Sequence, residues 1–404
     1  MEMKDPHLKL RPCPKKYILD THRSRAPEDT LQFIATMKNI LGMDDFRDAT
    51  EEDRIGLPVF TCSRIRPDGS RTFHTGKGLT KIQAQVSLTM EAIERYSSEF
   101  REEDRSRLVR GSYRELAADR PTLHPEKLIL PRFSDFREDT PYFWVEGWDL
   151  IAGETILVPA CCVYHPFHLD TPELMSTHTN GVAAGNTMEE AVFHGLMEVI
   201  ERDAWSIVKF GRLEMPSLFI ADLPENDFLL HISGKLAAAE VEIILQNFFL
   251  DLQVPVVAAK AYDLAIEKLM PMEGFGAHLD PKVAAARAMM EVATTRGLLL
   301  QKHGAGKLLE SRPLYLMEAF GVDVFSDDEP AQDLQDLDGG YSDDILTDIR
   351  RVGERLQENG LHQLIVVDLT RREIEVPTAR VIVPGMEVYG FDPARIGERL
   401  YKYL

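Results

Sequence analysis

Cysteine is scarce in this chain. Four in 404 residues are too few for a disulfide scaffold, and the pattern reads as cytoplasmic with reduced thiols. Positive charge is also in short supply. Lys and Arg number 46 against 66 Asp and Glu, a formal net charge of -20. That balance argues against a nucleic-acid or anionic-membrane surface, since both need cationic patches. It leaves a polyanionic small molecule open, provided divalent metal lies between it and the carboxylates. No run of about 18 apolar residues occurs, so no membrane span is expected. The opening stretch MEMKDPHLKLRPCPKKYILD has no apolar core of a signal peptide. The phosphate-cradling loop G-x-x-x-x-G-K-[ST] is missing as well: GKGLT at Gly76 lacks the spacing.

What is present suffices for a folded protein. The chain is 44% hydrophobic and 28% charged, which permits a substantial core and excludes wholesale disorder. Apolar spacing predicts a helix from about Asp29 to Met43. Residues Tyr142–Val163 read as strand, turn at Gly153, strand. A helix is expected from about Gly234 to Asp251, then a buried strand over Pro255–Tyr262. The acidic stretch Ser326–Asp344 reads as a solvated linker. A helix near Ser342–Asn359, a strand over Leu364–Leu369 and a short terminal helix follow. The expected organisation is a body over residues 1–325, the linker over 326–344, and a C-terminal α/β portion over 345–404 packing on the body.

Three segments share one pattern. They are GKGLTKIQAQVSLTMEAIER from Gly76, GVAAGNTMEEAVFHGLMEVIER from Gly181 and GFGAHLDPKVAAARAMMEVATTR from Gly274. Aligned on Glu91, Glu198 and Glu291, each carries Met one residue before and Ala seven before. Eleven residues before stands a good helix N-cap: Thr80, Thr187 or Asp280. Gln83 and Glu190 complete capping boxes in the first two, and Pro281 occupies the first turn of the third. Each unit therefore reads as a glycine-containing loop, a capped start and a helix of about four turns.

The chemistry lies in the differences. The first two helices carry E-x-x-E-R: Glu91, Glu94, Arg95 and Glu198, Glu201, Arg202. The third carries Arg287 and Glu291, with Arg296 beyond. Residues at i and i+3 share a helix face, so each Glu pair projects together. If the helices pack side by side, several carboxylates converge. At 4 Å a like-charge pair costs about 4 kcal/mol at an effective dielectric near 20. Protonation or a divalent cation must relieve this, and oxygen-only ligands favour Mg2+ or Mn2+ over zinc. Arg95, Arg202 and Arg287 suit phosphate oxygens.

These motifs resemble the YcaO superfamily. The resemblance runs from roughly Lys15 to the C-terminus. It rests on Ser87, Glu91, Glu94 and Arg95, then Asn186, Glu190, Glu198, Glu201 and Arg202, then Arg287 and Glu291, with WVEGWDL and GFGAHLDP beside them. It implies an α+β fold on mixed sheets with three related loop-helix units, binding ATP and Mg2+. Glu91, Glu94, Glu198 and Glu201 would hold metal. Ser87, Arg95, Asn186, Glu190, Arg202, Arg287 and Glu291 would contact nucleotide, with Lys16 (or Lys15) and Ser24 adding phosphate contacts. The implied reaction phosphorylates a backbone amide oxygen after a nucleophile adds to the amide carbon. No protein nucleophile is required, and no catalytic residue is assigned.

Azoline-forming members end in P-x-P-x-P, whereas this chain ends GERLYKYL. THRSRAPEDTL and VIVPGMEVYG resemble methanogen-type members. Those imply thioamidation of a glycine in the α subunit of methyl-coenzyme M reductase, a TfuA-like sulfur-delivery partner, and a homodimer. Two alternatives stay open: azoline or amidine formation, and a non-catalytic nucleotide-binding partner of a sulfur-transfer protein. Cys161, Cys162, His165 and His168 read as structural, because adjacent strand cysteines face opposite ways. His178 reads as an ordinary loop hydrogen-bonder and Asp368 as a strand-end cap.

Overall fold

The computed structural model describes residues 8–66, 69–170, 172–265, 271–303 and 331–404, with backbone alone for 297–303. A two-stranded ribbon, β1 (Tyr17–Ile18) and β2 (His22–Arg23), precedes α1 (Pro27–Ile34). An antiparallel meander follows: β3 (Met43–Asp48), β4 (Val59–Ile65) and β5 (Arg71–Lys77), leading into α2 (Lys81–Ser98). Next come β6 (Val109–Ser112), α3 (Tyr113–Ala117), β7 (Pro141–Asp149), β8 (Glu154–Pro159), β9 (Val182–Ala184) and α4 (Met188–Gly211). Then follow β10 (Ser217–Phe219), α5 (Phe228–Ala238), β11 (Val241–Asn247), β12 (Val256–Asp263), β13 (Met272–Ala277) and α6 (Pro281–His303). The set is completed by β14 (Gln332–Asp333), α7 (Ile345–Glu358), β15 (Ile365–Asp368) and β16 (Thr378–Ile382). The fold is α+β on mixed sheets, as expected.

By its contacts the described chain groups into two units, and neither is continuous in sequence. Unit I takes residues through Pro14, Ile93–Gly211 and Ser342–Leu404; unit II takes Lys15–Ala92 and Arg212–Tyr341. The boundary falls inside α2, between Ala92 and Ile93. This differs from the chain-order division the sequence favours. The acidic stretch is also more than a linker where it is described. Its β14 pairs in parallel with β10, and Leu334 is buried in the core of unit II. Residues 326–330 of that stretch lie outside the described residues.

Unit I is built on the sheet order β6-β7-β15-β16-β9, with β8 pairing β7. Trp144, Val158, Val367 and Ile365 pack one side of its core. All five residues of β16 are buried, as a central strand between β15 and β9 requires. Helix α4 packs on β9 and β16. Unit II carries the β3-β4-β5 meander and the sheet β13-β12-β11-β10-β14. Ile232 and Leu236 of α5, and Met289 and Val292 of α6, bury against Val257 and Ala259 of β12.

Several predicted elements stand: the hairpin turning at Gly153 (φ +70°), the buried strand β12, helix α7 and strand β15. Others change. The helix expected to Met43 ends at Ile34 and tightens into a 3-10 turn, and β3 begins at Met43. The helix expected over Gly234–Asp251 is instead α5 ending at Ala238 and strand β11. Glu240 turns left-handed (φ +54°) and stops the helix. Val241, Ile243 and Ile244 then pair with β12, and sheet pairing overrides a helical reading of a short apolar run.

The repeat itself is sharper than its sequence pattern. The three segments are strand-then-helix units: β5–α2, β9–α4 and β13–α6. Gly76 and Gly274 therefore sit in strands, not loops. A Cβ on Gly76 would lie 2.1 Å from Ala84 O, and one on Gly274 would lie 2.3 Å from Ala288 O. These glycines let each strand lie directly on the helix it leads into. Gly76→Ala and Gly274→Ala are expected to lower the urea midpoint, each by about 1–3 kcal/mol of overpacking strain or more. Gly353→Ala on α7 meets open space and should be neutral or stabilise by about 0.5–1 kcal/mol. Equal midpoints for Gly76→Ala and Gly353→Ala would overturn the close-packing account.

Candidate functional site

Each repeat fastens its aligned glutamate to a backbone N–H on its own strand or in the turn just before it. In unit II, Thr75 N donates to Glu91 Oε2 at 3.2 Å, and Phe275 N to Glu291 Oε2 at 2.9 Å. In unit I, Gly181 N donates to Glu198 Oε2 at 3.4 Å. Thr75 and Phe275 are equivalent, each 16 residues before its glutamate, whereas Gly181 stands 17 before and donates from the turn that leads into β9. One carboxylate oxygen is anchored in each case, which orients the second. In unit I, Ala184 N also donates to Glu94 Oε1 at 3.0 Å. The four residues from Gly181 to Ala184 thus hold carboxylates from two different helices. Glu201 is buried, and its Oε1 stands 3.6 Å from Arg202 Nη2. In unit II, His74 Nδ1 stands 3.7 Å from Glu91 Oε1.

The helix starts follow the predicted chemistry. Thr80 Oγ1 accepts from Gln83 N, and Gln83 Oε1 accepts from Thr80 N at 2.9 Å, a complete capping box. Thr187 Oγ1 accepts from Glu190 N. Glu190 does not reach back to Thr187; its Oε2 accepts from both Asn186 N and Asn186 Nδ2 at 2.9 Å. Asn186 and Glu190 are thereby locked together, buried, at the start of α4. Asp280 Oδ1 caps α6 through Lys282 N.

The nucleotide candidates divide between the units. Arg95, Asn186, Glu190 and Arg202 lie in unit I, where the Arg202 guanidinium stands over the Trp205 ring at 5.4 Å. Ser87, Arg287, Glu291, Lys16 and Ser24 lie in unit II. Ser87 stands one turn before Glu91 on α2, and Ser24 is buried just after β2. Lys16 is exposed, whereas Lys15 is buried. Lys15 Nζ meets His22 Nδ1 at 3.0 Å, and His22 Nε2 stands 3.3 Å from Asp280 Oδ2. His278 packs edge-on against His22 at 4.6 Å. Burial, helped by the nearby positive charges of Lys15 and Arg287, holds His278 neutral. Sequence reading named Lys15 but not this histidine pair. The GAHLDP phrase signals His278 and Asp280; His22 carries no local signal because only the β1–β2 ribbon brings it there. Arg296, aligned with Arg95 and Arg202 only approximately, is structural: it pairs with Asp53 at 2.7 Å and with Asp263.

Does this set suit a hard divalent cation and a phosphate? Glu91, Glu94, Glu198 and Glu201 offer only carboxylate oxygens, the donors Mg2+ takes. Arg287 Nε is buried without a hydrogen-bond partner among the described residues, a donor in want of an oxygen. The residues fit. Among the described residues, however, no three His, Cys, Asp or Glu side chains already stand as a metal-holding group. Glu91, Glu94 and Glu198 each accept a hydrogen bond from a backbone N–H.

The discounted residues stay outside this arrangement. Cys161 and Cys162 are buried in a 3-10 turn, Ala160–Cys162, not on a strand. His165 Nδ1 bonds Thr177 Oγ1, His168 pairs with Glu173 at the surface, and Asp368 is exposed.

Fold and donor chemistry together define a class: an α+β protein with carboxylates for a hard cation and arginines for phosphate. The family model described as YcaO cyclodehydratase, ATP- and Mg2+-binding, matches residues 75–387. The chain belongs to that family of ATP-dependent peptide-modifying enzymes, and its cofactors are ATP and Mg2+. An uncharacterized protein of Methanothermobacter thermautotrophicus is 37% identical over 93% of this chain and 97% of its own length. One from the tfuA 3' region of Rhizobium leguminosarum bv. trifolii is 25% identical over 92% and 90%. The structure of YcaO from Methanopyrus kandleri, bound with AMPPCP and Mg2+, has 32% identity and a TM-score of 0.76, covering 96% of this chain and 98% of that one. No helix among the described residues is long and apolar enough to cross a membrane.

The strand bonds separate the glutamates' structural and chemical parts. Glu291→Ala orphans the Phe275 N–H and should cost about 1–3 kcal/mol of stability. Glu291→Gln retains an acceptor and should lose less than half as much in the same urea titration. A Gln variant as unstable as the Ala variant would show that the strand bond is not what the oxygen contributes.

Proposed function

We propose that this chain uses ATP and Mg2+ to activate a peptide-backbone amide. Its reaction is thioamidation of a glycine in the methyl-coenzyme M reductase α subunit, with sulfide or a sulfur carrier as donor and ADP and phosphate released. The observation that carries the amide-activating part is the threefold strand-to-glutamate anchor on a YcaO fold. The sulfur part is supported by relatives from Methanothermobacter and Methanopyrus and by the relative beside tfuA. In this reading the chain acts in the cytoplasm, as a homodimer, with a TfuA-like sulfur-delivery partner.

ATP would supply a phosphoryl group that turns the amide oxygen into a leaving group. The chain's part is positioning and charge neutralisation. Glu91 in unit II, and Glu94, Glu198 and Glu201 in unit I, would hold Mg2+. Arg202 and Arg287 take phosphate charge, with Arg95, Lys16 and Ser24 as further phosphate contacts. The Asn186–Glu190 pair, rigid at the start of α4, and Ser87 and Glu291 orient the nucleotide. Neither buried cysteine is needed as a nucleophile.

Two measurements test this. Glu198→Gln and Glu201→Gln should weaken Mg2+-dependent AMPPCP binding at least about tenfold, the cost of losing even an outer-shell partner. Wild-type binding in both would sink the metal assignment. Incubated with Mg-ATP, sulfide and a glycine-containing reductase peptide, the chain should yield a product heavier by sulfur in place of oxygen. Loss of one water instead would establish the azoline alternative, and ATP consumption without peptide change would reject both.

A further inference from the structure

Unit I encloses a second polar site that the metal and nucleotide residues do not use. A cavity of about 50 Å3 is lined by Cys162, Met175, His178, Asn180, Arg380 and Arg395 among others. Two of these are buried guanidiniums. Arg380 is 2% exposed and Arg395 3% exposed, and neither has a carboxylate within ion-pair distance among the described residues. Arg395 donates from Nε to Ile129 O, and from Nη2 to Leu128 O. Arg380 donates from Nη1 to His178 O at 2.8 Å. Both also flank the His178 ring: Arg380 Nη2 lies 3.3 Å from Nδ1, and Arg395 Nη1 lies 3.2 Å from Nε2. Burial, then these two cations, hold His178 neutral, at about 2. The histidine therefore adds no compensating charge.

Two buried guanidiniums that meet carboxylates only at longer range, Glu198 for Arg380 and Asp392 and Glu387 for Arg395, are costly, and a ligand anion is the direct remedy. Two unmet atoms describe that ligand. Among the described residues, Arg380 Nε is a buried donor without a partner, and Asn180 Oδ1 is a buried acceptor without one. The ligand must therefore accept at an anionic atom and also donate a hydrogen. Three guanidinium N–H groups are spent on carbonyls and two more face the His178 ring, so only part of either guanidinium is open to a ligand. Met175, Met386 and Cys162 make the wall soft and polarizable. Those features select a soft monoanion bearing one hydrogen.

We infer that this cavity binds hydrosulfide, the nucleophile of the thioamidation proposed above, on which the assignment rests. Its place fits. Asn180 directly precedes Gly181, whose N–H anchors Glu198, and Val199 lines the cavity beside that glutamate. Arg380 feels the Glu198 carboxylate electrostatically. The anion is thus held behind the metal-binding helix face, within one unit, with its S–H toward Asn180 and its charge toward Arg380.

The test uses the full chain and two readouts. Crystals soaked in sodium iodide, a soft monoanion with an anomalous signal, should show iodide in the cavity beside Arg380. In steady-state thioamide formation, Asn180→Leu and Arg380→Met should raise KM for sulfide about tenfold or more, the worth of a charge-assisted hydrogen bond, with KM for ATP unchanged. Asn180 is half-buried and makes no described side-chain bond, so its variant should fold even where Arg380→Met does not. An iodide-free cavity overturns the inference whatever the peptide product. Iodide present with a wild-type sulfide KM in folded Asn180→Leu marks an adventitious ion only, and overturns it too. Iodide bound by a wild-type chain that forms no thioamide would reject the hydrosulfide assignment through its premise, leaving an anion cavity.

Discussion

A backbone N–H on a strand or in the turn just before it, bonded to a glutamate 16 or 17 residues further on, is the constraint on which the site depends. It occurs at Thr75–Glu91, Gly181–Glu198 and Phe275–Glu291. In unit II it demands that strand and helix lie in near contact, and this in turn demands glycine: a Cβ on Gly76 or Gly274 would meet helix backbone oxygen at 2.1 or 2.3 Å, while one on Gly181 would meet Val381 O of β16 at 2.3 Å. The helix cap sets where the helix begins, and so which residue arrives opposite the strand N–H. Glycine, cap and glutamate are thus one device, and none has its effect alone. With one oxygen anchored, each carboxylate presents the other in a set direction, a form of preorganisation.

A chain with a net charge of -20 that handles a polyanion must manage repulsion locally. Two solutions are visible. Carboxylate oxygens are offered to a divalent cation, which inverts the sign seen by phosphate. Cations are also gathered in small buried groups. Lys15, His22 and His278 stand together in unit II, and Arg380 and Arg395 flank His178 in unit I. In unit I a histidine kept neutral by burial and neighbouring positive charge lies between the cations; in unit II burial keeps His278 neutral beside the Lys15–His22 pair.

Much of the site was legible before any fold was known, because its signals are local. Caps at Thr80, Thr187 and Asp280 act within one turn, and i, i+3 spacing puts Glu91 with Glu94 and Glu198 with Glu201 on one helix face. The hairpin at Gly153 was legible for the same reason. Failures share a cause as well. The stretch after Gly234 is apolar without a decisive period, and only pairing with β12 made it strand β11. The glycines were read as loop because their partners, Ala84 and Ala288, belong to helices that follow. Strand β16 went unnoticed, since its neighbours β9 and β15 come from separate stretches of chain.

The sequence by itself determined the threefold unit, the family and the oxygen-donor character of its carboxylates, because cap, spacing and side-chain chemistry travel with the residues. Tertiary structure alone decided which backbone N–H each glutamate accepts from, that Lys15 rather than Lys16 is buried, and that His178 lies between Arg380 and Arg395. Those outcomes depend on desolvation. A buried donor, acceptor or charge must find its partner among whatever groups the fold brings near, and local sequence does not say which those are.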